Sequence, residues 1–276
     1  MRELTNIDAD TGKPFLRWAG GKSWLIKYLS KIKASNYGNY HESFLGGGAT
    51  FFYLLPKKQS YLSDLNEDLI ETYKAVRDHA SDIINKLKTF NNTEEDYYII
   101  RNTAFDSKIE RAAQFIYLNQ TSYNGIYRVN LKGKYNVPYG FRKKDFIDEQ
   151  NLLRAQYILK KAHLEQCDFY SIEDNIKRND LVFLDPPYTV SHNNNGFIKY
   201  NEKIFSLEDQ MRLSNLIDVI KTKGAFYILT NAAHKTIEEI FDKGDKKILL
   251  NRASLIGGLN SKRGHTSEFV FTNTEL

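Results

Sequence analysis

Apolar side chains recur at Leu69, Tyr73, Val76, Ala80, Ile83, Ile84 and Leu87, the spacing of one helical face, which predicts a helix from Glu67 to Leu87. Ile109, Ala112, Ala113 and Ile116 mark a second helix, and Leu152 to Ala162 a third. The stretch from Leu118 to Phe141 has no period. It is rich in Tyr, Asn and Gly and reads as loop.

Short apolar runs alternate with these patterns. "YHESFLGGGATFFYLL", from Tyr40, predicts a strand, a glycine turn and a buried helix, and "SYLSDLN" a second strand ending at Asp64. "LVFLDPPY" is a strand running into a proline turn. "FSLEDQMRLSNLIDVIKTKG" places Ser206 and Asp209 at capping-box spacing and Gly224 just past the helix end. "AFYILTN" is a buried strand, and "KKILLNRASL" and "TSEFVFTN" form a closing antiparallel pair. Strand–helix alternation at both ends implies an α/β fold, with a mostly parallel sheet covered on both faces and an antiparallel final strand. The helical, loop-rich middle, 69–165, reads as an insert into a domain made of 1–68 and 166–276.

Composition narrows the class. The 276 residues carry a formal net charge of +5, with 41% hydrophobic residues and no apolar run long enough to span a membrane. The start, "MRELTNIDADTGK", is polar and has no signal-peptide core. Cys167 is the only cysteine, which excludes internal disulfides and multi-cysteine metal clusters and predicts a buried filler. A cytoplasmic monomer that needs no metal is the expectation. From Asn124 to Lys144 the chain carries Arg128, Lys132, Lys134, Arg142, Lys143 and Lys144 and no acid. Interleaved with aromatics and glycines, these suggest either a polyanion partner or a solvated basic loop.

Two glycine turns compete as ligand loops. "AGGKS" resembles the end of a P-loop, but the first glycine of that motif would have to be Leu16, and polar "DADTGK" stands where a strand should. Phe44-x-Gly46-x-Gly48 lies where a first strand turns into a helix, and glycines there let the backbone approach a ligand. Asp64 ends the next strand, where an acid can bind ribose hydroxyls. Together they favour a dinucleotide or S-adenosylmethionine, with a tight packing turn as the alternative.

"DPPY", Asp185, Pro186, Pro187 and Tyr188, sits at a strand's C-terminal end, where doubly wound sheets bind ligands. The exocyclic amine of adenine is a poor nucleophile because its lone pair is delocalised into the ring. Acceptors on both N–H bonds can aim that lone pair at an electrophile. Asp185 would supply one and the Pro186 carbonyl another, while Tyr188 would stack on the base.

"PFLRWAGGK", "SFLGGG", "YLSDLN", "YNGIYRVNLKGKYNVPYG" and "LDPPY" occur in the order seen in Dam-type DNA adenine-N6 methyltransferases (D12 class, alpha group), which this chain resembles from about Pro14 onward. The resemblance implies a Rossmann-like S-adenosylmethionine methyltransferase fold with a target-recognition insert acting on double-stranded DNA. It maps Trp18, Lys22, Phe44, Gly46, Gly48, Asp64 and Asp185 to the cofactor site, and Asp168 and Phe169 to its adenine end, with a core role for Phe169 as the equal alternative. It maps Tyr123 to the position that fills the space of a flipped base and Arg128 to the guanine reader. Asn124, Ile126 and Pro138 match base-proximal positions, Arg17 a basic position near DNA, and Lys132 and Lys134 phosphate contacts. The implied target is adenine within GATC. "NQTS" before Tyr123 and "SLIGGLNSKRGHTSEF" have no residue-by-residue match, which leaves the last base open. A cognate restriction endonuclease acting separately stays open as a partner. Other acceptors (cytosine N4, RNA, a protein amide), a P-loop ATPase and a DNA-binding module without catalysis are the competing readings.

Overall fold

The computed structural model describes residues 12–22, 24–130, 132–188, 205–253 and 265–276. Ser23, Leu131 and most of the unassigned C-terminal stretch lie outside them. The chain divides into two compact units: Met1–Ile26, Leu45–Lys57 and Ser63–Gln166, and Lys27–Phe44, Lys58–Leu62 and Cys167–Leu276.

In chain order the elements are α1 (Ser30–Ala34), β1 (Tyr40–Glu42), α2 (Ala49–Leu54), β2 (Ser60–Asp64), α3 (Glu67–Leu87), α4 (Glu94–Asn102), α5 (Lys108–Thr121), α6 (Glu149–Leu159), β3 (Ala162–Gln166), β4 (Leu181–Leu184), α7 (Leu207–Thr222), β5 (Phe226–Ala232), α8 (Lys235–Phe241), β6 (Lys246–Ala253) and β7 (His265–Thr272). The seven strands run in the order β3-β2-β1-β4-β5-β7-β6. β1 pairs in parallel with β2 and β4, and β4 with β5, whereas β7 is antiparallel to both β5 and β6. The α/β class, the mostly parallel sheet and the antiparallel close are as the sequence predicts.

The first unit is built on α3, which packs against α5 and α6. Tyr73, Val76, Ala80 and Ile83 of α3 and Ala113 and Tyr117 of α5 have no exposed surface, so the periodic stripe is the buried face. Asn66 caps α3 through a bond from Leu69 N, and Asp148 caps α6 through Asn151 N.

The sequence reading needs correction at several places in the chain, and α1 and β3 are absent from it. α5 continues through Thr121, so its last turn, with buried Leu118 and Asn119, falls inside the predicted loop. α6 starts three residues before the predicted Leu152 and stops at Leu159, because Ala162 opens β3. α4 and α8 carry no strong pattern and go unpredicted; both are single short helices of nine and seven residues. Cys167 is half-buried rather than a core filler.

The second unit buries one cluster of Val182 and Leu184 of β4, Tyr227 and Leu229 of β5 and Phe271 of β7 against Leu213, Leu216, Ile217 and Ile220 of α7 and Ile237 and Phe241 of α8. Ser206 and Asp209 form the predicted capping box, and Gly224 takes the left-handed turn after α7 with φ 69°. The register brings Glu42 of β1 level with Phe183 of β4 and Leu62 of β2. Phe44 and Asp185 therefore leave adjacent parallel strands two residues beyond matched rungs.

Candidate active site

In the first unit, Gly46 and Gly48 both have left-handed backbones, φ 46° and 65°. The Asp64 carboxylate accepts from Gly46 N and Asn66 N, each at 3.0 Å, so the acid that ends β2 braces the glycine turn. Burial raises the Asp64 pKa above the ordinary range, opposed by the backbone N–H bonds of Gly46, Asn66 and Leu65. Tyr73 fixes the other side of the turn by donating to Gly46 O.

Trp18 lies directly over the turn. A Cβ on Gly46 would stand 2.6 Å from the Trp18 ring, and the ring is stacked on Tyr127 with centroids 5.7 Å apart. Tyr127 in turn donates to Asp68. Gly46→Ala combines a left-handed backbone, costing about 1–2 kcal/mol for a non-glycine residue, with a clash against Trp18. The expected result is a lower melting temperature together with a shift in tryptophan emission. An unchanged melt and spectrum would refute this contact.

Lys22 is buried, and its Nζ donates to Gly20 O at 2.8 Å. This bond orders the "AGGK" turn, and among the described residues, from Gly12 onward, no strand precedes it. The local geometry is therefore not that of a strand–loop–helix nucleotide cradle. Asn119 clamps the same segment: its Oδ1 accepts from Arg17 N and its Nδ2 donates to Arg17 O, at 2.8 and 2.7 Å. Gln120 donates to Phe15 O. The unassigned "NQTS" thus holds the N-terminal motif in place. The Arg17 guanidinium is pushed below the ordinary arginine range by burial and by nearby Arg142.

The basic segment folds as a short hairpin. Val129 and Tyr135 form a bridge, Asn130 N donates to Lys134 O, and Asn136 N donates to Arg128 O. Lys132 and Lys134 are exposed at its tip, where their backbone N–H groups bond Asn130 Oδ1. Arg128 is exposed, and Asn136 accepts from its Nε at 2.7 Å and from a terminal nitrogen at 3.3 Å. Two of its five N–H donors thus fix the guanidinium plane. Tyr123, 51% exposed, sits in a tight turn with Asn124 at φ 55°, and Tyr123 N donates to Pro138 O. Tyr123, Asn124 and Pro138 are exposed and Ile126 half-buried along this surface.

In the second unit, Phe44 stacks on Phe169 at 5.4 Å, and both rings meet Phe205. Phe169 is buried. Asp168 caps the turn that follows through Tyr170 N and is paired with Arg212 at 2.7 Å. Arg212 also bonds Asp209 and lies over the Phe169 ring at 4.8 Å. Arg212 was not legible as a site neighbour in the sequence; its only signal is the i, i+3 spacing from Asp209.

Asp185 leaves β4 half-buried, with Thr230 Oγ1 donating to its Oδ1 at 2.7 Å. Pro186 is buried, and Pro187 and Tyr188 are half-buried. Tyr188 donates to Glu268 on β7 at 2.6 Å. Thr230 and Glu268 are supporting residues that the sequence motif does not include. Among the described residues, no group of three His, Cys, Asp or Glu side chains could hold a metal ion, and no helix is long and apolar enough to cross a membrane.

Compared with known proteins, residues 18–254 match the family model of the D12 class N6 adenine-specific DNA methyltransferases, a range that covers most of the chain and includes the glycine turn, Asp64 and DPPY. The chain belongs to that family. The methyltransferase is 36% identical over 243 residues to the Type II methyltransferase M.MjaIII of Methanocaldococcus jannaschii, covering 80% of this chain and 84% of the relative. It is 33% identical over 273 residues to the Type II methyltransferase M1.LlaDCHI of Lactococcus lactis subsp. cremoris, covering 95% of each. It is 30% identical over 239 residues to the DNA adenine methylase of Haemophilus influenzae, covering 83% of each. The adenine-specific activity inferred from DPPY is that of the family.

Proposed function

We propose that this DNA adenine methyltransferase takes its methyl group from S-adenosylmethionine and acts on an adenine flipped out of duplex DNA within GATC. The observation that carries the reading is the anchored Asp185 just past β4, in an intact DPPY, two residues beyond the Glu42–Phe183 rung as Phe44 is on the neighbouring strand's exit.

The residue types fit such a donor. In the first unit Asp64 supplies an acid that accepts from the backbone of the left-handed glycine turn beneath Trp18, and in the second Phe44 stacks on the buried Phe169. Trp18, Lys22, Phe44, Gly46, Gly48, Asp64, Asp168, Phe169 and Asp185 would hold the donor. Asp168 contributes through the Arg212 pair that sets its carboxylate. When bound, the donor supplies a methyl group made electrophilic by its sulfonium.

The chain's own contribution is orientation. Asp185 and the Pro186 carbonyl accept the two N–H bonds of the adenine amine and turn its lone pair outward, with Pro187 stiffening the turn and Tyr188 stacking on the ring. No covalent enzyme intermediate is needed. Residues 69–165 act as the target-recognition insert on a catalytic domain of 1–68 and 166–276. Tyr123 fills the space of the flipped base and Arg128 reads guanine. Asn124, Ile126 and Pro138 approach the bases, and Arg17, Lys132 and Lys134 meet the backbone. The exposure of Tyr123 and Arg128 and the absence of acids from 124 to 144 support this reading. Relatives named Type II methyltransferases support a restriction–modification setting with a separately acting endonuclease.

Expression in a host without DNA methylation, followed by sequencing that detects N6-methyladenine, tests the whole reading. The expected result is modified adenine confined to GATC. Methylated cytosine N4, or modified RNA with clean DNA, would replace the acceptor. A different motif would replace the site while leaving the chemistry.

A further inference from the structure

We propose that Glu268 is a positioning residue for methyl transfer, its buried carboxylate setting the ring of Tyr188 by accepting the hydrogen bond from the phenol. The inference rests on the reading of Asp185 to Tyr188 as the adenine-binding motif.

Side chains alternate along β7, so Glu268, Val270 and Thr272 share one face and Phe269 and Phe271 the other. All three on the first face are fully buried. Glu268 stands opposite Ala232 of β5 and Leu250 of β6, and Val270 stands opposite Thr230. Directly opposed residues in an antiparallel pair lie on the same face. Glu268 and Thr230 are therefore diagonal neighbours on one face, among Ile228, Ala232 and Val270. Thr230 bonds Asp185 and Glu268 bonds Tyr188. Two neighbouring polar positions on this buried face thus hold the first and last residues of the four-residue motif.

A carboxylate at this depth is unfavourable unless it is well bonded, and a branched aliphatic side chain would fill the strand position without that cost. At 2.6 Å, the contact has the length of a strong O–H···O bond to a charged acceptor. A tyrosine ring swings about two side-chain torsions, and anchoring its far end restrains both. If the ring must lie flat against adenine while Asp185 and the Pro186 carbonyl hold the amine, loosening it should slow the chemistry more than it weakens binding.

The test is steady-state and single-turnover methylation by the full-length protein, using a duplex identified by methylation mapping. The variants are Glu268→Gln, Tyr188→Phe and the double variant. Glu268→Gln keeps the shape and a neutral acceptor but loses the charge. We expect kcat to fall about tenfold, with KM for DNA and for S-adenosylmethionine within about twofold. The double variant should be no slower than the slower single variant, because both remove the same bond. With 2-aminopurine at the target position, Glu268→Gln should give brighter emission at equal DNA occupancy, since a ring held loosely quenches the base less.

Normal turnover, a change confined to KM, or additive losses in the double variant would overturn the role of Glu268. Should Glu268→Gln not fold, Tyr188→Phe deletes the bond from the other side, and the same kcat and fluorescence outcomes decide. A wild-type protein inactive on adenine would instead overturn the motif reading and this inference with it.

Discussion

Asp185→Ala should lower methyl transfer by roughly 10²–10³-fold or more while leaving duplex affinity within a fewfold. On the proposed reading the carboxylate is the acceptor that aims the adenine lone pair, and its loss removes an interaction that matters most as the new N–C bond forms. On the same reading duplex binding rests on the exposed basic residues of the insert, which the substitution does not touch, and should persist. A side effect is expected at Thr230, a buried hydroxyl whose bond to Asp185 disappears. That costs on the order of 1 kcal/mol of stability, too little to explain a loss of that size. Asp185→Asn separates the two, because it keeps an acceptor for Thr230 and removes the charge. Single-turnover rates beside anisotropy titrations give the comparison. A variant that turns over near the wild-type rate would rule out Asp185 as the amine acceptor.

Arg128→Ala should act on sequence choice. A bidentate arginine on guanine O6 and N7 is worth about 1–3 kcal/mol of discrimination, or roughly 5- to 150-fold between the correct and a substituted base pair. The guanidinium is already oriented by Asn136, so little ordering is required when DNA binds. The expected result is methylation of sites with the first base changed, at rates approaching those of the intact site, with the salt dependence of binding little altered. An even loss of affinity across all sequences, with a shallower salt slope, would make Arg128 a phosphate contact. Because Arg128 and Asn136 are on the surface of a short hairpin, the substitution should leave the melting temperature nearly unchanged.

Legibility followed the strength of local pattern. α3 was readable to its ends because an apolar stripe runs through all of it and Asn66 precedes it as a cap. α7 was readable for the same reason, with its capping box and terminal Gly224. β3 was not. Its residues, Ala162–Gln166, are mostly polar because it lies at the sheet edge, where only Ala162 and Leu164 are buried. The last turn of α5 was lost among the loop residues that follow it, because buried Asn119 is a poor helix former retained for its clamp on Arg17.

The sequence by itself determined the α/β class, the adenine-directed motif and the order of motifs that marks the family, since each rests on periodicity or on neighbours in the chain. Only the tertiary structure decided which side chains support them. Asn119 reaches Arg17 across 102 residues, Tyr188 reaches Glu268 across 80, and Thr230 reaches Asp185 across 45. A side chain's hydrogen-bond partner is set by how strands and helices pack, and nothing in the local pattern around Glu268 or Asn119 says where that partner will be.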